Sequence, residues 1–349
     1  MRNLLTDFRQ ELGEQILDLL WRQWTALGVS GHVRPWNGSV IDPDALLLFS
    51  CTAGRHDARL FDAMLSWLRA NGRLINVQRI KRMMKEEVFA GEPVLASVAD
   101  VVSTSAEQAK WATLAGKAGR GEGDREALFY VADGSPLPVV REPDPRFSAY
   151  GLLRDHYEEA SDDMPFRPEA PGNLLLRLRA LLGVNARCEI LQFLLLNGRG
   201  SPRAMARDCH YFPATVSKAL AEMNQSGFLV SRTEGRRRFY RLVPDTWKSL
   251  FLDMSVSPGW VVWARLFSAL EQVWLFLHRP GLAKEPALAQ ASALRRVLRR
   301  SAVDQFERCG FEFMFGDVSA HTGEALIPFF IERMQVILDH IVQLRGEPQ

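Results

Sequence analysis

The sequence predicts a mainly α-helical protein with a small β-hairpin near its centre and helical regions on either side. Three observations carry this reading. Apolar residues recur at helical spacing in both terminal thirds of the 349-residue chain; Phe228 to Arg232 and Arg238 to Val243 alternate like two strands around a basic turn; and positive charge is concentrated between them and Leu174. From Leu174 to Lys248 thirteen Lys or Arg face five Asp or Glu, a net of +8, whereas the whole chain carries only +2. One central module therefore has the charge that a polyanion-binding surface requires.

Leu4, Leu5, Phe8, Leu12, Ile16, Leu19 and Leu20 mark one apolar stripe on a first helix, interrupted by too many acids to be a targeting segment. Gly31, Pro35 and Gly38 break it. Asp42-Pro43 is a cap and first-turn pair for a short apolar helix, and Leu60, Met64, Trp67 and Leu68 face inward on the next, which stops at Asn71-Gly72. Asn76 caps a further helix through Ile80 and Met84, so residues 1–95 read as a helical N-terminal domain containing the outline of a degenerate helix-turn-helix. Residues 96–173 read as loop, hairpin and linker: Ala115 to Arg125 is rich in Gly and charge, Ala127–Val131 and Pro138–Arg141 flank Asp133-Gly134, and prolines and acids run on to Pro171. Residues 249–349 read as a helical C-terminal domain whose apolar surface is expected to be buried between two protomers. Val262, Leu266, Leu270, Val273 and Leu277 line one face there, Trp260, Trp263 and Trp274 widen it, and a last helix opens near Pro328. Arg265 and Glu271 make Trp260–Leu277 a buried helix and not a membrane span.

Within residues 174–248 the elements follow a specific order. Asn185 to Leu196 forms a helix ended by Asn197-Gly198; Ser201 caps a short helix through Cys209; and a turn at His210 to Phe212 leads into a third, starting Pro213-Ala214-Thr215-Val216-Ser217-Lys218-Ala219-Leu220. Val216, Leu220 and Met223 share one side of that helix, and Thr215, Ser217 and Lys218 the other. After Gly227 the two strands and their basic turn complete a helix, helix, recognition helix, wing pattern, that is, a winged helix-turn-helix.

At Leu182-Gly183, Arg187-x-x-Ile190-Leu191, Ala214 to Leu220, Ser226 to Val230 and Glu234 to Leu242 the chain resembles winged helix-turn-helix repressors of the ArsR type, and more loosely those of the MarR type. The resemblance covers about a fifth of the chain. It implies that the helix with Ala214, Thr215, Ser217 and Lys218 lies in the major groove of double-stranded DNA and that the wing, with Arg232, Arg236, Arg237, Arg238 and Tyr240, meets the backbone or minor groove; Arg203 joins them on the preceding helix. It further implies a transcriptional regulator, a repressor, acting as a homodimer on a palindromic site. Metal-sensing members carry a closely spaced cysteine pair on the first helix of the motif, where this chain offers only Cys209 beside His210, so neither a metal nor another cofactor is expected.

Nothing in the sequence assembles a catalytic site, and the expectation is a non-enzyme. Gly38-Ser39 before Asp42-x-Asp44 is too close, and Pro43 too disruptive, for a nucleotidyltransferase strand; Gly116 to Gly121 lacks the order of a P-loop; and His156-Tyr157-Glu158 has no P-C-x-x-C after it. Four scattered cysteines fit free thiols in the cytoplasm. Two further basic clusters, Arg79, Lys81, Arg82 and Lys85, and Arg295, Arg296, Arg299 and Arg300, are candidate extensions of a DNA footprint. The competing reading is a regulatory, antitoxin-like protein that binds a protein partner through the apolar helices after Trp260. It requires a large exposed apolar patch there, and wing arginines that are all paired internally.

Overall fold

Apolar side chains at helical spacing fold into fifteen α-helices, joined by short turns and two small sheets, among the residues that the computed structural model describes: 4–104, 106–116, 125–158, 164–243, 258–311, 314–316 and 318–343. The first is α1 (Leu4–Leu27), which buries the predicted stripe from Leu5 to Leu20 and leaves Leu4 exposed. Asp42 caps α2 (Pro43–Ser50), its carboxylate accepting from the backbone N–H of Asp44 and Ala45 at 3.2 Å, which accounts for the Asp42-x-Asp44 pattern. Asp57 caps α3 (Ala58–Asn71) and Asn76 caps α4 (Val77–Glu86) in the same way.

The region expected to be loop and linker is more ordered than its composition suggests. It holds α5 (Glu92–Val102), which crosses the expected boundary at residue 95, then α6 (Ala112–Ala115), α7 (Pro145–Ser148), and β1 (Glu126–Ala127) paired in parallel with β2 (Leu152–Leu153). The turn at Asp133-Gly134 exists, closed by Val131 N–H to Ser135 O and Leu137 N–H to Phe129 O, but it closes before Pro138. Leu128, Phe129, Phe147, Leu152 and Tyr157 carry this segment into the main core, so its prolines and acids mark only the exposed side of a packed structure. Most of the expected Gly-rich loop, residues 117–124, lies outside the described residues.

Next come α8 (Leu174–Leu182), α9 (Ala186–Asn197), β3 (Arg199–Gly200), α10 (Pro202–Asp208), α11 (Pro213–Gln225), β4 (Leu229–Glu234) and β5 (Arg237–Leu242). The three strands form one antiparallel sheet in the order β3-β5-β4. They share a separate core with α8 to α11, built on Leu178, Ile190, Leu194, Met205, Val216, Leu220 and Leu229. The chain then returns through α12 (Trp263–Leu277), α13 (Ala287–Val297), α14 (Val303–Arg308) and α15 (Leu326–Gln343). No helix among the described residues is long and apolar enough to cross a membrane.

The N- and C-terminal helices bury their apolar faces together. One continuous core runs from Leu5 to Met164 and from Trp263 to Ile341. Trp263 donates its indole N–H to Val40 O at 2.7 Å and meets Trp36 edge-on, while Phe267 stacks on Phe49 at 4.9 Å. The apolar belt of α12, expected to face a second protomer, is thus consumed inside one chain: Trp263, Phe267 and Trp274 are all at most 2% exposed. Helices distant in sequence meet there because α12 is apolar on nearly every side and needs cover on each of them.

Candidate nucleic-acid interface

The site is built on α11. Val216, Ala219, Leu220 and Met223 recur at helical spacing and are buried, leaving Ala214, Thr215, Ser217 and Lys218 exposed on the opposite side. Pro213 fixes the first turn, and Phe212 before it provides no side-chain cap, so the first free N–H groups of α11 face outward from a helix N-terminus. The hairpin beside it turns through Gly235 and Arg236. Gly235 has φ of 61°, as a two-residue hairpin with glycine at its first central position requires. At the other edge β3 comes close over α9: a Cβ on Gly200 would lie 2.5 Å from a Phe193 ring carbon, so only glycine fits there.

Of the ten residues expected at the interface, nine are at least partly presented to solvent as expected: Arg203, Ala214, Thr215, Ser217, Lys218, Arg232, Arg236, Arg237 and Arg238. The side chains of Arg203, Lys218, Arg232, Arg236 and Arg237 have no hydrogen-bond or ion-pair partner among the described residues. Arg238 donates to Ser231 Oγ at 2.8 and 3.1 Å. Tyr240 is the exception. It is 6% exposed and sits in the core opposite Gly200, because the strand alternation that points Arg241 outward points Tyr240 inward. Its role is to anchor the hairpin.

No protein-family model, curated protein or solved structure matches this chain. What the interface can do therefore follows from its own geometry.

The turn before α11 is tied down from both sides. His210 adopts a left-handed backbone (φ 55°), unusual for a residue with a Cβ, and is buried with its ring Nδ1 3.1 Å from Glu86 Oε2. Arg79 of α4 donates to Cys209 O at 2.8 Å, and Asn76 donates to the Tyr211 hydroxyl at 2.7 Å, which itself donates to Glu189 at 3.0 Å. On the other side Arg265 of α12 donates to Asp208 at 2.9 Å and to Arg207 O at 3.1 Å. Beneath lies a buried ionic cluster: Arg79 binds Asp42 and Asp44, and Arg179 binds Asp44, Glu189 and Leu74 O at 2.6–3.1 Å. Burial alone would raise the Asp44 carboxyl, but Arg179 and Arg79 outweigh it and hold Asp44 below its ordinary range. Three carboxylates facing two guanidiniums fix the orientation of α11 relative to the helical body.

This latch answers the question of the first basic cluster. Arg79, read as a candidate surface cation, is buried in the latch; Lys81 donates to Thr113 Oγ1 at 2.7 Å; Lys85 is exposed. Arg82 lies 3.8 Å from the centre of the Phe212 ring at the start of α11, a contact that sequence spacing could not reveal because 130 residues separate the two. In the second cluster Arg295 is tied to Val318 O and His321 O, and Arg296 and Arg299 are exposed. Arg199 and Arg241, absent from the sequence-based site, stand on the three-stranded sheet beside the expected arginines. Strand alternation through Arg237, Phe239 and Arg241 was the available signal. Cys209 is buried with its thiol pushed well up by burial, and among the described residues no three His, Cys, Asp or Glu groups are placed to hold a metal ion.

Proposed function

We propose that residues 174–243 form a winged helix-turn-helix that binds double-stranded DNA, with α11 in the major groove and the hairpin tip at Arg236 and Arg238 on the adjacent backbone, and that the protein is a transcriptional regulator of the repressor kind. The observation that carries this reading is the pairing of two surfaces. One is a helix whose first exposed turns hold Ala214, Thr215, Ser217 and the unpartnered Lys218; the other is a hairpin tip whose Arg236 also has no acidic partner among the described residues. Small side chains let a helix approach base edges closely, Lys218 reaches a phosphate or a guanine edge, and wing arginines fix register on the backbone without reading sequence. The ArsR-type resemblance points the same way.

The protein-interaction alternative asked for an exposed apolar patch after Trp260 and for internally paired wing arginines. α12 is instead covered by the chain's own core, and the wing retains free guanidiniums. Binding as a homodimer stays in the reading, since two α11 helices about 34 Å apart match a palindromic site, but α12 does not supply the interface. Selection of bound sequences from random duplex DNA by the purified protein tests the proposal. An enriched motif whose binding is lost in Thr215→Ala with Lys218→Ala supports it; a pool with no enriched motif, or a motif bound equally by that variant, overturns it.

A further inference from the structure

Strand register sorts the wing arginines into two sets. Residues paired across a sheet share a face. The pairs Arg199↔Arg241, Val230↔Arg241, Arg232↔Phe239 and Glu234↔Arg237 therefore place Arg199, Arg232, Arg237 and Arg241 together on one face, while Leu229 and Tyr240 leave the other face to enter the core beneath α11. Arg238 belongs to the core-side face, where it reaches Ser231. The outer face thus carries four guanidiniums and one carboxylate. Arg199 takes that carboxylate, Glu234, at 3.1 Å and lies over the Phe239 ring at 5.0 Å; Arg232, Arg237 and Arg241 have no partner among the described residues.

Such a face is unfavourable on its own. Arg199 and Arg241 stand directly opposite each other, and like charges at that position destabilise a strand pair unless something neutralises them. The four arginines span about 13 Å along β5 by about 10 Å across the three strands. A three-stranded face is broader than the helix or two-stranded ribbon that a major groove admits, and planar guanidiniums pair with phosphate oxygens two at a time. It suits a sugar–phosphate backbone. Leu229 and Tyr240 of the sheet and Val216, Leu220 and Met223 of α11 enter one shared core, so the outer sheet face and the polar face of α11 are two separate surfaces of the module.

We propose that the outer face of the wing sheet, Arg199, Arg232, Arg237 and Arg241, is a second DNA-backbone site that holds another DNA segment, without regard to sequence, while α11 occupies the first. The inference deepens the reading of α11 as a DNA-binding helix and rests on it for the first segment only.

The test uses the full chain loaded on an immobilised 20-bp duplex of the selected sequence, then offered a fluorescent 40-bp duplex of unrelated sequence. The native chain is expected to capture the second duplex. Arg199→Glu with Arg241→Glu, both at exposed positions outside the α11 interface, is expected to load on the first duplex within about twofold and to capture the second at least tenfold less, its circular dichroism unchanged. The neutral variant Arg199→Ala with Arg241→Ala is expected to lower the salt dependence of binding to the unrelated duplex by about two ions. Capture by the charge-reversed variant equal to native, or no capture by the native chain, overturns the outer-face site and leaves α11 untouched. Failure of any chain to prefer the selected duplex, with unrelated duplex still bound and lost in the reversed variant, overturns the α11 reading alone. If polyglutamate is bound and lost in that variant while capture of the second duplex is unchanged, the face is a site for acidic protein and the proposal falls.

Discussion

Replacing Arg179 by Met removes one charge from the cluster under the α10–α11 turn while nearly preserving side-chain length. Arg179 is fully buried and donates to both oxygens of Asp44, to Glu189 and to Leu74 O, so its loss strands two carboxylates and a carbonyl in the interior. Removing one partner of a buried pair costs about 3–5 kcal/mol, because the charge left behind can no longer be solvated. Arg79 still contacts Asp44 at 2.9 Å and the Tyr211 hydroxyl still contacts Glu189 at 3.0 Å, which places Arg179→Met toward the lower end, about 3 kcal/mol. Against a total stability of about 5–15 kcal/mol this is a large loss. Urea unfolding followed by circular dichroism should show a lower midpoint with an unchanged slope. Adding Glu189→Gln should cost less than the sum of the two single variants, since the second change removes a charge that the first left unpaired. A loss under about 1 kcal/mol for Arg179→Met, or strict additivity of the pair, would refute the reasoning that the cluster is held together by mutual neutralisation.

Three further outcomes follow from the same structure. Burial pushes the Glu271 carboxyl from 4.5 up to about 7, only partly offset by the Ala90 N–H that donates to it at 2.9 Å; with the folded value above the unfolded one, its contribution to stability is complete below about pH 4.5 and is lost as pH rises through about 7. Glu271→Gln should therefore flatten the fall in melting temperature between pH 5 and 8 and stabilise the protein at pH 8 by up to about 3 kcal/mol, whereas a native curve flat over that window would contradict it. Tyr240→Phe should bind duplex DNA as the native chain does and Tyr240→Ala should bind poorly, because the ring anchors the wing from inside; a tenfold loss in Tyr240→Phe would return the hydroxyl to the interface. Trp263→Ala should cost about 3–5 kcal/mol without changing the sedimenting mass at micromolar concentration, and dissociation of a native dimer by this substitution would show that α12 serves an interface after all.

Much of the fold was legible because it rests on local rules. The caps at Asp42, Asn76 and Ser201 and the inward stripe Val216, Leu220 and Met223 stand where the sequence places them, since capping and amphipathic spacing act within one or two turns of chain. The outward set of α11 was legible for the same reason. What was not legible depends on contacts between distant segments. Arg79 resembled any exposed helical cation until Asp42, Asp44 and Cys209 O converged on it, and the aromatics between Leu128 and Tyr157 were outweighed in composition by their prolines and acids. Tyr240 was misplaced by a single-residue question. In Arg238-Phe239-Tyr240-Arg241 alternate residues face opposite sides, and only the pairing of Tyr240 with Gly200 and Ser231 decides which side is inward.

The latch also bears on how such a module would be controlled. A helix-turn-helix on a flexible tether leaves the direction of its recognition helix to the DNA, whereas here the turn at Asp208 to Tyr211 is gripped from α4 by Asn76, Arg79 and Glu86 and from α12 by Arg265. Both helices belong to the main core, so the direction of α11 is set by the body that the N- and C-terminal thirds build together. Any rearrangement that slides α4 against α12 must either carry α11 with it or break buried charge-assisted hydrogen bonds, and breaking them exposes carboxylates whose neutralisation the fold depends on. The cheaper response is for α11 to move as a rigid unit. A signal acting anywhere along those two helices would then reach the outward face of α11 as a change in the angle of that helix and not as its melting, which couples the large helical body to the smaller module without a hinge between them.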